Sequence, residues 1–442
     1  MIPQNKRKCL IKRQTGMRSY KRLLLLIITL IVPFSVSAIS LQEHPKLQAV
    51  ADQLVAENHY TQAELVQLFA AATQQQTVLD AMLNPAEYKF TWGKYRKLFL
   101  QEDRISQGVS FWQEHEDTLR RAEQKYGVPA SVIVAIIGVE SKFGKYRGSH
   151  KVLDSLVTLV IGYPRRSAFF AKELREFLIL SKENKLDSAA VLGSYAGAVG
   201  YPQFISSSYR HYAVDFSGDG IVDLIDQPVD AIGSIANYFI ENGWVPGEAV
   251  TSEHHLEVSE AIRQRANRKR KTLYTAKDLR ADGALLNHDL ADQEALNVLM
   301  LDASETVNEP RRSNVYVVRA GDTACQIAEQ FKMSCVSLFK LNNLNSQGKI
   351  YRGQRLKLPE AKSQKVGKWS VKNNTDDASM VQERFFYTHP NFYAITKYNQ
   401  SVLYAMAVHE LSKAIASSRA NSIIDTNVMV ETIPETADEV SN

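Results

Sequence analysis

The chain has 442 residues, with 53 Lys and Arg against 48 Asp and Glu, a formal net charge of +5, and three cysteines. That length permits more than one domain. The basic excess is local: eight Lys and Arg and no acidic residue fall in the first 22 positions, so the rest holds 45 basic against 48 acidic, a net of −3, which weighs against a nucleic-acid role.

After the basic stretch comes an apolar run of 12 residues, Leu23 to Phe34, and then Val36-Ser37-Ala38. A basic segment, a short apolar core and a small-x-small site make a secretory signal peptide, expected to be cleaved after Ala38. The run falls short of the roughly 17 residues that span a bilayer. An uncleaved anchor is the alternative. Cys9 precedes the run, so no lipoprotein acceptor follows it. The other two cysteines, Cys325 and Cys335, are expected to pair as a disulfide in an exported protein.

Residues 41–100 read as helical, with Thr61-Gln62-Ala63-Glu64 as a capping box and Leu65, Leu68, Phe69 and Ala72 at helical spacing. Tyr95-Arg96-Lys97 and Phe99 read as an amphipathic surface stretch. A second helix is expected from about 109 to 126, with Phe111, Trp112, Leu119 and Ala122 inward. The third is the apolar stretch 132–139, preceded by Gly127 and Pro129 and ended by Glu140, then Ser141-Lys142-Phe143-Gly144. A helix apolar on nearly every side is buried. Apolar surroundings and the negative end of the helix dipole would both disfavour a charged Glu140. A carboxylic acid kept protonated near neutral pH suits general-acid work, for example on a glycosidic oxygen. The competing reading is a helix-end carboxylate paired to a nearby Lys or Arg.

Short helices follow at 153–159 and 169–180, separated by Gly162-Tyr163-Pro164-Arg165-Arg166. The adjacent arginines read as solvated, or as holding a carboxylate. Residues 193–204 have glycine or alanine at nearly alternate positions, which lets a backbone or a ligand approach closely. Ser194, Tyr195, Tyr201 and Gln203 there supply hydrogen bonds and aromatic faces of the kind sugars use; a small-residue helix contact is the alternative. In Asp215-Phe216-Ser217-Gly218-Asp219-Gly220-Ile221-Val222-Asp223, oxygen side chains at positions 1, 3, 5 and 9 and glycine at 6 make an EF-hand calcium pattern, set against a plain Asx-turn loop. Position 12 is Asp226, with Asp230 as second candidate, and the ion's expected role is structural. A helix over 230–241 carries Tyr238. The basic cluster from Arg263 to Lys271 reads as a solvated face, or as a contact for an anionic polymer.

The segment Ile136-Ile137-Gly138-Val139-Glu140-Ser141-Lys142-Phe143-Gly144 resembles the lytic murein transglycosylase B family, as do Tyr163-Pro164-Arg165-Arg166, residues 193–204, Tyr212 to Gly220, and Pro228-Val229-Asp230-Ala231-Ile232-Gly233-Ser234. These blocks cover roughly residues 41–300. The resemblance implies a mainly α, lysozyme-like catalytic domain with an EF-hand-like calcium loop. It also implies non-hydrolytic cleavage of the β-1,4 bond between N-acetylmuramic acid and N-acetylglucosamine in peptidoglycan, giving 1,6-anhydromuramic ends. By resemblance Glu140 is the single general acid and base; Tyr95, Ser194, Gln203 and Tyr238 contact substrate, with Arg165 and Arg166 as the family's paired arginines. Asp215, Ser217, Asp219 and Ile221 match its calcium ligands, and Asp230 overtakes Asp226 as the last one, although Gln227 looks inserted. Pro202 and Ser206 depart from the family's residues around Gln203. No cofactor is expected for catalysis. One buried Glu among tyrosines and amides suits substrate-assisted cleavage; a second acid such as Asp154 stays open.

A second resemblance lies downstream. Val315-Tyr316-Val317-Val318-Arg319-Ala320-Gly321-Asp322-Thr323, Leu341-Asn342-Asn343-Leu344 and Ile350 to Pro359 are similar to a LysM module, a small β-α-α-β unit that binds N-acetylglucosamine-containing glycans. Cys325 stands where this family commonly has an aromatic residue, and its disulfide to Cys335 would clip the first helix to the second. Beyond it, Arg384-Phe385-Phe386, Asn391 to Asn399 and Tyr404-Ala405-Met406-Ala407-Val408 resemble the transglycosylase's closing segment, with Tyr393, Tyr398 and Asn399 completing the cleft. The expected organisation is a signal peptide (1–38), a first catalytic part (39–310), an inserted LysM module (311–360), a linker (361–383), a closing catalytic segment (384–420) and a disordered tail (421–442). Expected partners are peptidoglycan glycan strands, with cell-wall enzyme complexes as further candidates. A periplasmic monomer is expected. A hydrolytic muramidase and a non-catalytic wall-binding scaffold are the competing functions.

Overall fold

The computed structural model describes residues 39–83, 90–254, 258–304, 315–318, 323–330, 333–345, 348–351, 354–358 and 383–431. The expected signal peptide and nearly all of the expected linker lie outside the described residues.

The first half of the chain is helical: α1 (Pro45–Ala56), α2 (Gln62–Ala71), α3 (Gln76–Leu83), α4 (Trp92–Phe99), α5 (Glu102–Glu114), α6 (Glu116–Tyr126) and α7 (Ala130–Ser141). Thr61 caps α2 through the expected box, its hydroxyl accepting the Glu64 N–H while the Glu64 carboxylate accepts the Thr61 N–H. Among the described residues the stretch 41–100 holds a 3-10 turn at Leu41–Glu43 and four separate α-helices. The single helix expected at 109–126 is two, α5 and α6, broken at His115, which leaves helical geometry without any glycine or proline to announce it. Tyr95, read as part of a surface stretch, is instead buried on α4, next to the buried Trp92.

Helix α7 is the centre of the packing. Gly127 closes α6 in the left-handed conformation that glycine adopts freely, and Pro129 is the N-cap of α7. Residues 132–138 are all buried. Each fully buried Val or Ile side chain contributes about 1.5–3 kcal/mol, so this helix is fixed by its surroundings far more than by propensity.

Next come β1 (His150–Lys151), α8 (Val152–Gly162), α9 (Ser167–Glu183), β2 (Leu192–Gly193), α10 (Ser206–Tyr212) and α11 (Pro228–Glu241). Helices α8 and α9 extend beyond the expected spans at both ends. Then the chain turns to strands: β3 (Thr251–His254), α12 (Glu260–Arg265), β4 (Tyr274–Thr275), α13 (Ala276–Ala281) and β5 (Ala295–Asp302). A small unit follows, made of β6 (Val315–Val317), α14 (Ala324–Gln330), α15 (Cys335–Leu341) and β7 (Arg355–Lys357). The closing elements are β8 (Glu383–Thr388), α16 (Pro390–Tyr398) and α17 (Val402–Glu431).

Four strands form one antiparallel sheet in the order β3-β8-β5-β4, with Thr388 opposite both Thr251 and Asn297, and Glu383 opposite Asp302. Sequence patterning did not anticipate this sheet, because its central strand β8 pairs only with strands far upstream. It has its own apolar cluster, including Leu279, Leu296, Val298, Phe385 and Tyr387. The small unit is the expected β-α-α-β arrangement: β6 and β7 pair antiparallel, Val318, Ile327, Ala328, Leu338 and Leu356 form its core, and Cys325 and Cys335 form a disulfide. It lies in the connection between the paired neighbours β5 and β8.

Helix α17 corrects the expected tail. It runs to Glu431, eleven residues into the stretch read as disordered, since no glycine or proline interrupts the chain before Pro434. Residues 432–442 lie outside the described residues.

Candidate active site

Glu140 sits half-buried on the last turn of α7. Immediately after it the backbone turns through three left-handed residues, Lys142, Phe143 and Gly144. Gly144 is required there: a Cβ would lie 2.2 Å from the Tyr201 ring. The turn is closed by Ser141, whose hydroxyl donates to the Ile137 carbonyl and accepts the Gly144 N–H at 3.0 Å.

The Tyr404 hydroxyl donates to Glu140 Oε1 at 2.5 Å. Tyr404 is buried on the first turn of α17, and burial, then the Glu140 charge, holds its phenol well above the ordinary tyrosine range. It therefore keeps its proton across the neutral range and can serve as a donor. Tyr398, at the end of α16, stacks parallel to Tyr404 with centroids 6.4 Å apart, and its phenol is raised by burial and then by Glu140. Tyr95 lies close enough to add a small upward push on Tyr404.

The competing reading of Glu140, a helix-end carboxylate paired to a nearby Lys or Arg, is not met by Lys142. That ammonium pairs with Asp103 at 2.9 Å, and the hydrogen bond from Lys142 holds the Asp103 carboxyl below the usual range. Asp154, left open as a second acid, is buried and structural: its Oδ1 accepts the Thr73 N–H at 3.0 Å and its Oδ2 the Gln75 side-chain amide at 3.1 Å.

The small-residue stretch 193–204 is a compact loop, not a helix contact. Ser194 organises it, its N–H donating to the Ala198 carbonyl at 2.8 Å and its hydroxyl accepting the Ala198 N–H at 3.0 Å. Gly200 has φ +74°, and a Cβ there would lie 2.0 Å from the Leu224 carbonyl oxygen. Gln203, at φ +50°, donates its side-chain amide to the carbonyls of Arg147 (3.1 Å) and Gly200 (2.9 Å), which leaves its carbonyl oxygen as an acceptor. The loop is tied to the Glu140 group through Tyr398, whose hydroxyl donates to the Pro202 carbonyl at 2.5 Å. Tyr238 joins on the other side, edge-to-face with Tyr398 at 4.8 Å, its hydroxyl donating to the Lys397 carbonyl at 2.8 Å. The hydroxyls of Tyr238 and Tyr398 thus hold the scaffold, with Tyr238 buried and Tyr398 half-buried.

Other expected site residues are placed elsewhere. Arg165 and Arg166 are exposed on the α8–α9 turn, where Arg166 stacks on Phe169 at 4.2 Å. Tyr393 is a core residue whose hydroxyl bonds Thr388 of β8 at 2.5 Å, so its phenol faces the sheet, contrary to the expected cleft role. Asn399 is half-buried directly after Tyr398, at the C-cap of α16. The residue that sequence reading passed over is Tyr404. It stood inside the closing segment already matched, but 264 residues from Glu140, and no local pattern links the two.

The Asp215–Asp223 loop has oxygen donors of the type a hard cation takes. Asp215 accepts the Gly218 and Gly220 N–H groups, which keeps its carboxyl below the usual range, and Asp219 is lowered chiefly by the Gln227 amide. Asp230 is fully buried beneath the loop and accepts the N–H groups of Phe216, Ser217 and Asp223. Asp226 pairs with Arg147 at 2.7 Å. Asp230 rather than Asp226 is therefore the carboxylate integrated into the loop. Among the described residues no three acidic, histidine or cysteine side chains converge tightly enough to make a metal cluster.

Comparison with known proteins gives the following. The family model described as "Transglycosylase SLT domain" matches residues 42–320, and that described as "LysM domain" matches residues 316–359. The chain is 32% identical over 385 residues to the membrane-bound lytic murein transglycosylase B of Escherichia coli (strain K12), covering 85% of this chain and 84% of that protein. Its fold is similar to the crystal structure of soluble lytic transglycosylase SltB1 from Pseudomonas aeruginosa, with a TM-score of 0.64 and 33% identity over 85% of this chain and 100% of that one. It is also similar to the Escherichia coli lytic transglycosylase Slt35 solved in complex with calcium, with a TM-score of 0.61 and 32% identity over 88% of this chain and 98% of that one.

Proposed function

The chain belongs to the lytic murein transglycosylase B family, and from that premise we propose that Glu140 is the general acid and base of a peptidoglycan lytic transglycosylase. The observation that carries the assignment is the Tyr404 hydroxyl 2.5 Å from a half-buried Glu140 carboxyl at the end of a core helix. The carboxylic acid gives its proton to the glycosidic oxygen as the bond to the muramic C1 breaks. The sugar's own acetamido group supports the positive charge at C1, and the carboxylate then takes the proton from the C6 hydroxyl as that oxygen closes on C1. No water is consumed, the product ends are 1,6-anhydromuramic acid, and Glu140 finishes protonated.

Each neighbour has a part in this. Tyr404 orients the carboxyl and supports its charged form after the first proton transfer. The Gln203 carbonyl oxygen, left as an acceptor, and the Ser194 hydroxyl would bind sugar hydroxyl and amide groups. The half-buried Tyr398 would offer its ring to a pyranose, with Asn399 beside it, and the buried Tyr95 and Tyr238 would support that wall from behind. Arg165 and Arg166, set apart on their turn, suit an anionic part of the polymer farther along the strand. Ca²⁺ bound by Asp215, Ser217, Asp219, the Ile221 carbonyl and Asp230 would supply rigidity to the segment leading into α11, which carries Tyr238. The LysM-type unit would hold the enzyme on its polymer and raise the local concentration of substrate. The basic, apolar and small-residue order at the N-terminus supports export to the periplasm. Among the described residues no helix is long and apolar enough to cross a membrane.

Mass spectrometry of digested peptidoglycan is the test. Anhydro products, one water lighter than hydrolytic ones, are expected from the native protein, and reducing ends would establish the muramidase alternative. Glu140→Gln should cost at least about 100-fold in rate; unchanged cleavage would remove Glu140 from the mechanism.

A further inference from the structure

The basic cluster noted in the sequence does not lie on a featureless face. Arg268, Lys269, Arg270 and Lys271 form one wall of a cavity of about 640 Å³ whose other walls are Phe90 and Gln400–Leu403. Among the described residues no acidic side chain lines it. Among the described residues none of the four cations has a carboxylate partner. Four positive charges on consecutive residues repel one another, so a loop that holds them together needs support.

That support is visible. Asn267 and the buried Asn297 of β5 exchange side-chain hydrogen bonds at 2.8 and 3.2 Å, and the Asn297 amide also donates to the Lys269 carbonyl. The Asn267 side-chain oxygen accepts the Lys269 N–H at 2.9 Å. Arg270 donates to the Gln400 carbonyl at 2.7 Å, which ties the loop across the cavity. The far wall is the segment joining Tyr398 and Asn399 to Tyr404, and Ser401 accepts the Tyr404 N–H at 3.3 Å. Phe90 is edge-to-face with Tyr95 at 6.1 Å. The cavity is therefore linked to the group around Glu140 on two sides, by the Phe90–Tyr95 ring contact and by the chain segment that runs into Tyr404.

The geometry points to an anion subsite for the carboxylates of the peptide stem that hangs from the muramic lactyl group of the substrate. The stem is the anionic part of the polymer attached at the sugar whose bond is cut, so it leaves the cleft beside that bond. A strongly positive cavity one residue away from Tyr404 and in ring contact with Tyr95 through Phe90 can meet it there. This rests on the proposed transglycosylase reading and deepens it: the glycan is recognised around Glu140, and the stem's charge in the adjoining cavity.

The test uses full-length protein carrying Arg268→Gln, Lys269→Gln and Lys271→Gln together, with Arg270 kept because it anchors Gln400. Cleavage rates are compared on glycan strands with intact stems and on strands stripped of them. On stem-bearing strands kcat/KM should fall about tenfold at 50 mM salt through KM, and the loss should shrink at 500 mM salt as screening sets in. Stem-free strands should be cut as before. Equal loss on both substrates, or loss on neither, would overturn the subsite. Wild-type cleavage of stem-free strands separately checks the transglycosylase reading.

A second arm does not depend on turnover. Titration of a stem-bearing disaccharide, and of the same disaccharide without its stem, into Glu140→Gln protein should show the triple substitution weakening only the first. Lys271→Glu, with its melting temperature unchanged, should weaken it in the same sense. Failure of both variants to discriminate the two ligands would refute the proposal.

Discussion

Replacing Tyr404 by Phe removes one oxygen and leaves the ring that stacks on Tyr398. At 2.5 Å to a carboxyl oxygen the lost hydrogen bond is charge-assisted, in the class worth about 1.5–3 kcal/mol. It favours the carboxylate over the acid, so its removal favours the acid. At 1.36 kcal/mol per pH unit, with the carboxyl only half-buried, the alkaline limb of the kcat/KM profile should move up by about one unit. The rate at the optimum should also fall roughly tenfold, because the carboxyl loses the group that orients it. The assay is anhydromuropeptide release from purified strands between pH 4 and 9, with Tyr404→Leu as a variant that also removes the ring. Two outcomes refute the reasoning. A limb that stays in place while the rate falls would mean that Tyr404 acts through packing alone. A limb that moves down would mean that the proton resides on Glu140 and Tyr404 accepts it.

Three further expectations follow from the packing. His409 bonds Thr251 through Nε2 at 2.9 Å, and burial, then Lys413, pushes its imidazole down to about 4. The unfolded chain binds the proton first, so stability should be lost as pH falls from about 6.5 toward 4, by about 2 kcal/mol for this half-buried group, and a denaturant series on His409→Gln should flatten that slope. Calcium should raise the melting temperature in a scan, and Asp215→Ala should abolish the rise; an equal rise in both proteins would place the ion elsewhere. The Cys325–Cys335 bridge closes a short loop between α14 and α15, so Cys325→Ser should cost the small unit about 3 kcal/mol, read as earlier proteolysis within residues 315–358 and unchanged catalytic-domain melting.

What could be read in advance was local. The α7 helix, the Thr61 capping box and the β-α-α-β unit each announce themselves within a dozen residues or a short motif, because burial periodicity and caps act over one or two turns. The break at His115 has no glycine or proline behind it and arises from packing of α5 and α6 on different neighbours. The sheet was missed because β8 carries a short apolar run, Phe385-Phe386-Tyr387, whose partners Val298 and Leu299 lie far upstream. Tyr393 read as a cleft residue by position in the closing segment, yet one helical turn decides whether a tyrosine faces ligand or core, and Thr388 claims its hydroxyl. Tyr404 was invisible as a partner of Glu140 for the same reason: the contact exists only after α7 and α17 have packed.

That assembly has an energetic consequence. The acid lies on α7 and its donor on α17, and between them the chain departs at Asp302 and returns at Glu383. The departing segment, residues 303–382, holds 80 residues, yet the cost of closing a loop grows only by about 0.6 kcal/mol per doubling of its length. Against a connection of about ten residues the penalty is near 2 kcal/mol. The β5–β8 pairing returns more than this: six residue pairs, with Val298, Leu299, Leu301 and Phe386 all buried. Since Asp302 and Glu383 lie opposite each other, whatever is placed between them need only bring its own ends together, as the antiparallel β6–β7 pair does. The LysM-type unit can therefore sit between β5 and β8 without displacing Tyr404 from Glu140, and loss of its disulfide should leave the pH profile of cleavage unchanged.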